Sequence, residues 1–288
     1  MPPLFGPAGN SDDFYAAGYK RTYEIFQYLS DIDLDAYEYQ CGKGTNVKDE
    51  TAFKIREESK KYGITVTLHA PYYISLASPD EEKRQNSVGY ILKSAELVKK
   101  MGGNRIVVHS GSVGKMDRKT ALELAKDTAI KAEKELKING LSDVFVCFET
   151  MGKINQLGTL EEVLELCSLS EYFIPTIDFG HLNARTHGEI KSKGDYKAIL
   201  DSIEDALGRD KLKIMHCHFS KIEYTEGGEK RHLTFEDEIF GPDFEPLAEL
   251  LYERDLSPVI ICESSGTQSM DALAMKKMYK SNLSGVKE

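Results

Sequence analysis

Short apolar runs that end in a histidine or a carboxylate recur along the chain. Six of them stand out, at residues 64–69, 105–109, 144–149, 174–181, 212–216 and 258–263. They deliver His69, His109, Glu149, Asp178 with His181, His216 and Glu263. Parallel strands that are buried on both faces have such continuous apolar sequences, and in a barrel their carboxyl ends converge on one mouth. The pattern therefore predicts parallel strands that bring polar side chains to one shared site.

Stretches with helical periodicity separate these runs. They cover residues 12–29, 48–62, 80–101, 117–136, 195–207 and 244–254, and further helices are predicted to start near Thr159 and Gln268. Glu162 stands three residues after Thr159, the spacing of a capping box, and Gly63 is placed to end the second helix. Weaker strands are predicted at 4–7 and 36–40, and residues 223–238 form a polar insertion. This β-α order, repeated about eight times, predicts an α/β fold with a single (β/α)8 TIM-barrel domain over residues 1–288.

Composition narrows the class of protein. The 288 residues are 41% hydrophobic, which suits one large core, and 37 basic against 47 acidic residues give a formal net charge of −10. The five cysteines are odd in number and widely spaced, which favours a reducing compartment. The sequence lacks a signal-peptide pattern at residues 1–7 and an apolar run of membrane-spanning length. We therefore expect a soluble, cytoplasmic protein with no membrane partner. A monomer is a separate expectation, which these observations do not determine.

Histidines and carboxylates at the strand ends predict a metal site. Five of the seven histidines lie there, namely His69, His109, His181, His216 and His218. With Glu149, Asp178 and Glu263 they offer the mixed nitrogen and oxygen donors that zinc or manganese accepts. Because side chains two apart on a strand share a face, either His216 or His218 could be the ligand. His232 lies in a polar loop, where a solvated histidine is the simpler interpretation when it is taken alone.

Two other catalytic patterns are missing from the sequence. There is no G-x-S-x-G motif for a serine nucleophile. Residues 111–115 (GSVGK) lack the full spacing of a phosphate-binding loop. Neither serine hydrolase nor nucleoside triphosphatase chemistry is therefore expected.

From about residue 60 onward the chain resembles endonuclease IV, the metal-dependent abasic-site endonucleases within the xylose-isomerase-like TIM-barrel group. The matching pieces are His69-Ala-Pro-Tyr72 with residues 74–79 (ISLASP), Val108-His109-Ser-Gly-Ser112, Glu149-Thr150, Asp178-x-x-His181, His216 with Ser220-Lys221, His232, and Glu263. Each piece is short, and their order and spacing together make the resemblance specific.

The resemblance implies a zinc-dependent DNA-repair hydrolase that cleaves the DNA backbone 5′ to an abasic site with a metal-activated hydroxide. It implies two or three zinc ions, with manganese as an alternative. His69 and His109 would hold the first ion, Glu149 would bridge it to a second held by Asp178, His216 and Glu263, and His181 and His232 would hold the third. It further implies Glu263 and Glu149 as catalytic residues, Tyr72 and Lys221 as substrate contacts, and His218 and Glu229 as additional ligand candidates.

Two segments differ from the endonuclease pattern. Where the family has Asp-Arg-His at its third ion, this chain has Lys230-Arg231-His232, and Glu229 stands one place too early. The loop at residues 40–44 (QCGKG) is shorter than the family's and contains no arginine. Both differences concern the contacts expected with the third ion and with distorted DNA.

Sugar isomerases and epimerases of the same barrel group are the main alternative. They use a Glu, Asp, His, Glu set around one metal, which here would be Glu149, Asp178, His216 or His218, and Glu263, with a small sugar as substrate. A single-metal isomerase does not need the additional set of His69, His109, His181 and His232, and we therefore place the phosphodiesterase first. A metal-binding module without activity ranks third, because nearly all the ligands are present.

Overall fold

The structure is a computed structural model that describes residues 1–42 and 44–284. Its strands are β1 (Leu4–Pro7), β2 (Ala36–Gln40), β3 (Thr65–His69), β4 (Arg105–Val108), β5 (Phe145–Glu149), β6 (Phe173–Asp178), β7 (His216–Phe219), β8 (Ile222–Thr225), β9 (Gly228–His232) and β10 (Val259–Cys262). Lys43, which belongs to the predicted loop at residues 40–44, and residues 285–288 of the predicted domain lie outside the described residues.

Helices connect the strands and cover the barrel. They are α1 (Asp12–Ala16), α2 (Ile25–Asp31), α3 (Asp49–Tyr62), α4 (Glu81–Lys100), α5 (Arg118–Ile138), α6 (Leu160–Cys167), α7 (Phe179–Arg185), α8 (Lys193–Lys213), α9 (Glu245–Glu253) and α10 (Gln268–Ser284). Asp80 and Asp117 accept hydrogen bonds at the N-termini of α4 and α5. Thr159 and Glu162 form the predicted capping box of α6, and Gly63 ends α3 in the left-handed conformation.

Eight parallel strands form the barrel wall in the order β1-β10-β7-β6-β5-β4-β3-β2. The sheet closes between β1 and β2, where Ala8 forms a parallel bridge with Glu38 and the amide of Asp35 donates to the carbonyl of Phe5 at 2.8 Å. A Cβ atom at Gly6 would lie 1.8 Å from the carbonyl oxygen of Ala36, so the close approach at this seam requires glycine. The predicted (β/α)8 TIM barrel is therefore confirmed.

Successive side chains along each strand point alternately to the outside of the barrel wall and to its interior. Val146 and Phe148 of β5 pack in the large core under the helices, whereas Cys147 clusters with Val107 and Ile174. Glu149 is two residues beyond Cys147, and it therefore shares the face of Cys147 inside the barrel. By the same alternation, Asp178 and His218 lie at positions of β6 and β7 whose side chains point into the barrel.

Several predicted elements differ from the structure. The helix predicted at 12–29 is divided into α1, a 3-10 turn at Thr22–Glu24, and α2, with Gly18 at a φ of 93° between them. The strand predicted at 212–216 begins at His216, because α8 continues to Lys213 past an interruption at Gly208. The polar insertion at 223–238 contains most of the β8–β9 hairpin. Within residues 1–42 and 44–284, no helix is long and apolar enough to span a membrane.

Candidate metal centre

The polar side chains at the barrel mouth come from strand ends and the residues that follow them. His69, Glu149 and Asp178 are the last residues of β3, β5 and β6, and Glu263 follows β10 directly. His109 follows β4, and His181 lies in the first turn of α7, where its amide donates to Asp178 Oδ1 at 2.7 Å. His232 ends β9. The arrangement follows from a parallel barrel, in which the carboxyl ends of all strands lie on one side.

These side chains form three overlapping groups, within each of which potential ligand atoms lie within 4.8 Å of one another. The groups are His69, His109 and Glu149; then Glu149, Asp178, His218 and Glu263; then His181, His232 and Glu263. Glu149 belongs to the first and second groups, and Glu263 to the second and third. The carboxylate of Glu149 is 2.9 Å from His109 Nε2 and 3.2 Å from His218 Nδ1. The barrel mouth therefore carries one continuous set of potential metal ligands.

His218, and not His216, joins the carboxylates of the second group. The strand-end pattern allows either histidine, whereas the family resemblance assigns His216 to this group on a strand that is predicted to end there. Because β7 instead begins there, His216 lies deeper in the barrel, with its Nε2 2.9 Å from Glu38 Oε2. His218, two residues later on the same face, reaches Glu149 and, at 3.5 Å, Glu263.

The side chain of Glu229 reaches the third group despite its shifted position in the sequence. Its Oε2 is 3.4 Å from His181 Nε2, and its Oε1 is 4.0 Å from His232 Nε2. The register of the hairpin shifts at Glu223 and Tyr224, so that Tyr224 pairs with Glu229. A Cβ atom at Gly152 would lie 2.6 Å from Glu229 Cβ and 2.9 Å from His181 Cδ2. Glycine at position 152 therefore leaves the space that Glu229 occupies.

Backbone carbonyls orient two of the imidazole rings. His69 Nδ1–H donates to the carbonyl of Ala70 at 2.8 Å, and His181 Nδ1–H donates to the carbonyl of Thr150 at 3.0 Å. The Nε2 atom of each ring is left facing a carboxylate of the site. This is the usual arrangement of metal-binding histidines, in which the second nitrogen is held by a neighbouring acceptor.

Charges in the site depend strongly on one another. Burial, together with the charges of Glu263 and Glu149, raises the pKa of Asp178 to about 6, although His181 opposes the shift. Burial alone would lower the pKa of His69, but the hydrogen bond and charge of Glu149 outweigh it and raise the pKa to about 9. Asp178 Oδ2 is buried 3.1 Å from His181 Nδ1, and among the described residues it has no aligned hydrogen-bond partner. Clustered carboxylates, oriented imidazoles and a buried carboxylate oxygen without a hydrogen bond together suit divalent metal ions.

A pocket of about 310 Å³ opens onto the three groups. Besides the ligand candidates it is lined by Tyr72, Met151, Lys153 and Gln156, and Tyr72 is 64% exposed at the rim. Lys221, expected as a substrate contact, is not among the lining residues. Its amine instead binds the carbonyl of Asp237 and lies 3.4 Å from the carboxylate of Asp243.

Two arginines hold the loop that forms one wall of this pocket, residues 150–158. Arg185 donates to the carbonyls of Met151, Lys153, Ile154 and Gln156 at 2.8–3.3 Å. Arg118 donates to two of the same carbonyls and pairs with both oxygens of Glu162 at 2.7 Å. The loop also bonds to the hairpin, because the amide of Glu229 donates to the carbonyl of Gly152 at 3.1 Å. The wall is therefore fixed from two sides.

Sequence reasoning did not identify Glu38, Arg118, Arg185 or the residues 151–156 that line the pocket. For Glu38 a signal was present, since the predicted strand at 36–40 (AYEYQ) carries a carboxylate in its centre. The two arginines have no comparable signal, because their partners are backbone carbonyls.

Known proteins resemble this chain in sequence, in three-dimensional structure and at the level of the family. An uncharacterized protein from Methanocaldococcus jannaschii is 33% identical over 280 residues, which is 96% of each chain. A probable endonuclease 4 from Thermotoga petrophila is 28% identical over 242 residues, 81% of each chain. The crystal structure of a D-tagatose 3-epimerase-like protein superimposes with a TM-score of 0.73 at 20% identity, covering 98% of both chains. The profile of the xylose isomerase-like TIM barrel family matches residues 26–283, and the chain belongs to this family.

Proposed function

We propose that this protein is a metal-dependent phosphodiester hydrolase, and that its substrate is DNA cleaved on the 5′ side of an abasic site. The observation that carries the proposal is the continuity of the three ligand groups through Glu149 and Glu263. Neighbouring ions with shared carboxylate ligands are typical of enzymes that act on phosphate esters. The similarity to a probable endonuclease 4 supports the same choice.

The first group would hold one ion, the second group another, and His181, His232, Glu229 and Glu263 a third, with zinc as the preferred metal and manganese as the alternative. When bound, such ions supply positive charge for phosphate oxygens and lower the pKa of water. The remaining roles belong to the protein.

Glu263 is the candidate general base. Burial raises the pKa of its carboxyl group, but the charges of His218 and His232 outweigh burial and hold the pKa below its usual range. The carboxylate is therefore ionised at neutral pH and can accept the proton of an attacking water. It lines the pocket together with Lys153, whose amine can bind a substrate phosphate, and Tyr72, whose exposed ring can stack on a sugar or base.

A sugar isomerase or epimerase is the second candidate, and one observation favours it. Glu149, Asp178, His218 and Glu263 form a complete set for one ion without the other groups. The pocket of about 310 Å³ is also large enough for a monosaccharide. In this mechanism Glu149 and Glu263 would move a proton beside a carbonyl carbon.

His69→Ala separates the two functions. It removes a donor from the first group and leaves the four residues of the second group intact. The hydrolase proposal expects two or three ions per wild-type chain by elemental analysis, incision of a duplex with an abasic-site analogue to leave a 3′-hydroxyl, and a large loss of incision in His69→Ala. His187→Ala, which changes a histidine outside the three groups, is the matched control.

The same proteins are assayed against a panel of ketoses and aldoses. One ion per chain, with sugar isomerisation that survives His69→Ala and no incision of the duplex, would replace the hydrolase with the isomerase. Because the formal charge is −10, duplex binding is expected to be weak and to fall steeply with added salt.

A further inference from the structure

Glu38 is a carboxylate that lies inside the barrel, away from the pocket. It is fully buried, in the centre of β2. Its Oε2 accepts from Thr67 Oγ1 at 3.1 Å and from His216 Nε2–H at 2.9 Å. Its Oε1 accepts from Gln40 Nε2 at 3.1 Å and lies 3.1 Å from His218 Nε2. Four polar groups, one from β3, two from β7 and one from β2 itself, thus surround one carboxylate.

His218 stands between Glu38 and the metal groups. Its Nδ1 is 3.2 Å from Glu149 Oε1 and 3.5 Å from Glu263 Oε1. Its Nε2 is buried, and the contact with Glu38 lacks the alignment of a full hydrogen bond, so that Nε2 has no aligned partner among the described residues. His69 and His181 face the mouth through Nε2, and the Nδ1–H of each donates to a backbone carbonyl, with Nδ1 of His181 also 3.1 Å from Asp178 Oδ2. His218 is turned the other way and has a carboxylate behind it.

His216, which lies deeper in the barrel than His218, also binds the carboxylate of Glu38. Its Nε2–H donates to Glu38 Oε2 at 2.9 Å, whereas its Nδ1 is buried and has no hydrogen-bond partner among the described residues, which fits a neutral ring that carries its proton on Nε2. A neutral ring that donates Nε2–H to Glu38 adds a hydrogen bond without adding charge. The negative charge of Glu38 therefore remains available to His218.

We propose that Glu38, held in place by His216, is a positioning residue that keeps the proton of His218 on Nε2 and presents Nδ1 to the metal bound by Glu149, Asp178 and Glu263. This inference rests on the proposed metal-dependent function. A carboxylate behind a metal-binding histidine fixes the tautomer and the orientation of the ring and makes the ligand more basic. Glu38 does not line the pocket, so it acts through His218 and not on substrate.

The tautomer is tested directly in the wild-type protein. Histidine-labelled protein is loaded with zinc, and the ¹⁵N shifts of His218 are assigned by comparison with His218→Gln. The expected result is a protonated Nε2 and a metal-bound Nδ1. Zinc on Nε2 of His218, or zinc on His216, would overturn the proposal, because the cluster of Glu38, His216 and His218 would then be a metal site of its own.

Glu38→Gln tests the strength of the effect without changing the size of the side chain. The affinity for one of the bound ions should fall about ten- to a hundredfold, as it does when such carboxylates are removed. Thr67→Val removes a neutral partner of the same carboxylate and keeps its charge, and it should change the affinity much less. Circular dichroism of the metal-free variants checks the fold. If Glu38→Gln does not fold, the tautomer of the wild-type protein decides.

The two proposals fail in different ways. A wild-type protein that binds no metal through His218 contradicts the proposed function. A wild-type protein that binds metal through His218 Nδ1, with the same affinity and the same tautomer in Glu38→Gln, contradicts only the role of Glu38.

Discussion

His216 and His218 show how much of the site can be predicted from the residue pattern. Both lie on the interior face of β7, and the sequence predicts that shared face because strand side chains alternate. It does not predict their depth, since two residues along a strand correspond to about 7 Å. The apolar residues Leu212, Ile214 and Met215 suit either a strand or the end of a helix. The start of β7 therefore decides which histidine meets the carboxylates, and that start is set by the length of α8.

Glu263→Gln tests the residue that we assign as general base. The change keeps the size of the side chain and removes its charge and its ability to accept the proton. Turnover should fall by about two orders of magnitude or more if the carboxylate is the base. Steady-state kinetics with metal-saturated enzyme measure the change, and circular dichroism checks the fold. Glu238→Gln alters an exposed glutamate and serves as the control. Unchanged turnover in Glu263→Gln would remove this residue from the mechanism.

At the scale of elements, the sequence predicted most strands and helices but not the packing of the loops. Strand ends were predictable because they carry polar residues after apolar runs, and the capping box of α6 was predictable from two residues alone. The hydrogen bonds from Arg118 and Arg185 to residues 150–158 were not predictable. The two arginines belong to α5 and α7, and they come together only in the folded structure. The position of Glu229 likewise depends on the hairpin register, which a polar sequence leaves open.

Glu162→Gln tests the support of this loop. Burial raises the pKa of Glu162, but hydrogen bonds from Arg118, Gly158 and Thr159 outweigh it and hold the pKa below the usual 4.5. A lowered pKa in the folded state stabilises the protein above the ordinary pKa, and that stability is lost as the pH falls through the lowered value. We expect the variant to lose about 1–3 kcal/mol of unfolding free energy at pH 7, and progressively less below pH 4.5.

Urea unfolding of metal-free protein at several pH values measures this difference. Glu161→Gln, in the same helical turn but exposed, is the matched control and should change stability much less. A pH-independent loss in Glu162→Gln would contradict the role of its charge.

At the scale of the whole molecule, the ligand groups join β3, β4, β5, β6, β7, β9 and β10 at one end of the barrel. Ions bound there should stabilise the folded chain, by about 2.7 kcal/mol for each ion at a hundredfold excess over its Kd. Removal of the metals by a chelator should therefore lower Tm by on the order of 5 °C or more, and zinc or manganese should restore it. Glu149→Gln alters a residue shared by two groups and should reduce this dependence. An identical Tm with and without chelator would argue against bound ions.

The ligands are spread from His69 to Glu263, and this spacing bears on when the ions act during folding. None of the three ligand groups lies within a short segment of the chain, so a nascent or partly folded chain does not present them as finished sites for an ion. Contacts that form only after the barrel has closed are absent from the transition state for folding and mainly slow unfolding. Bound ions would thus lengthen the lifetime of the native barrel while leaving its rate of formation almost unchanged.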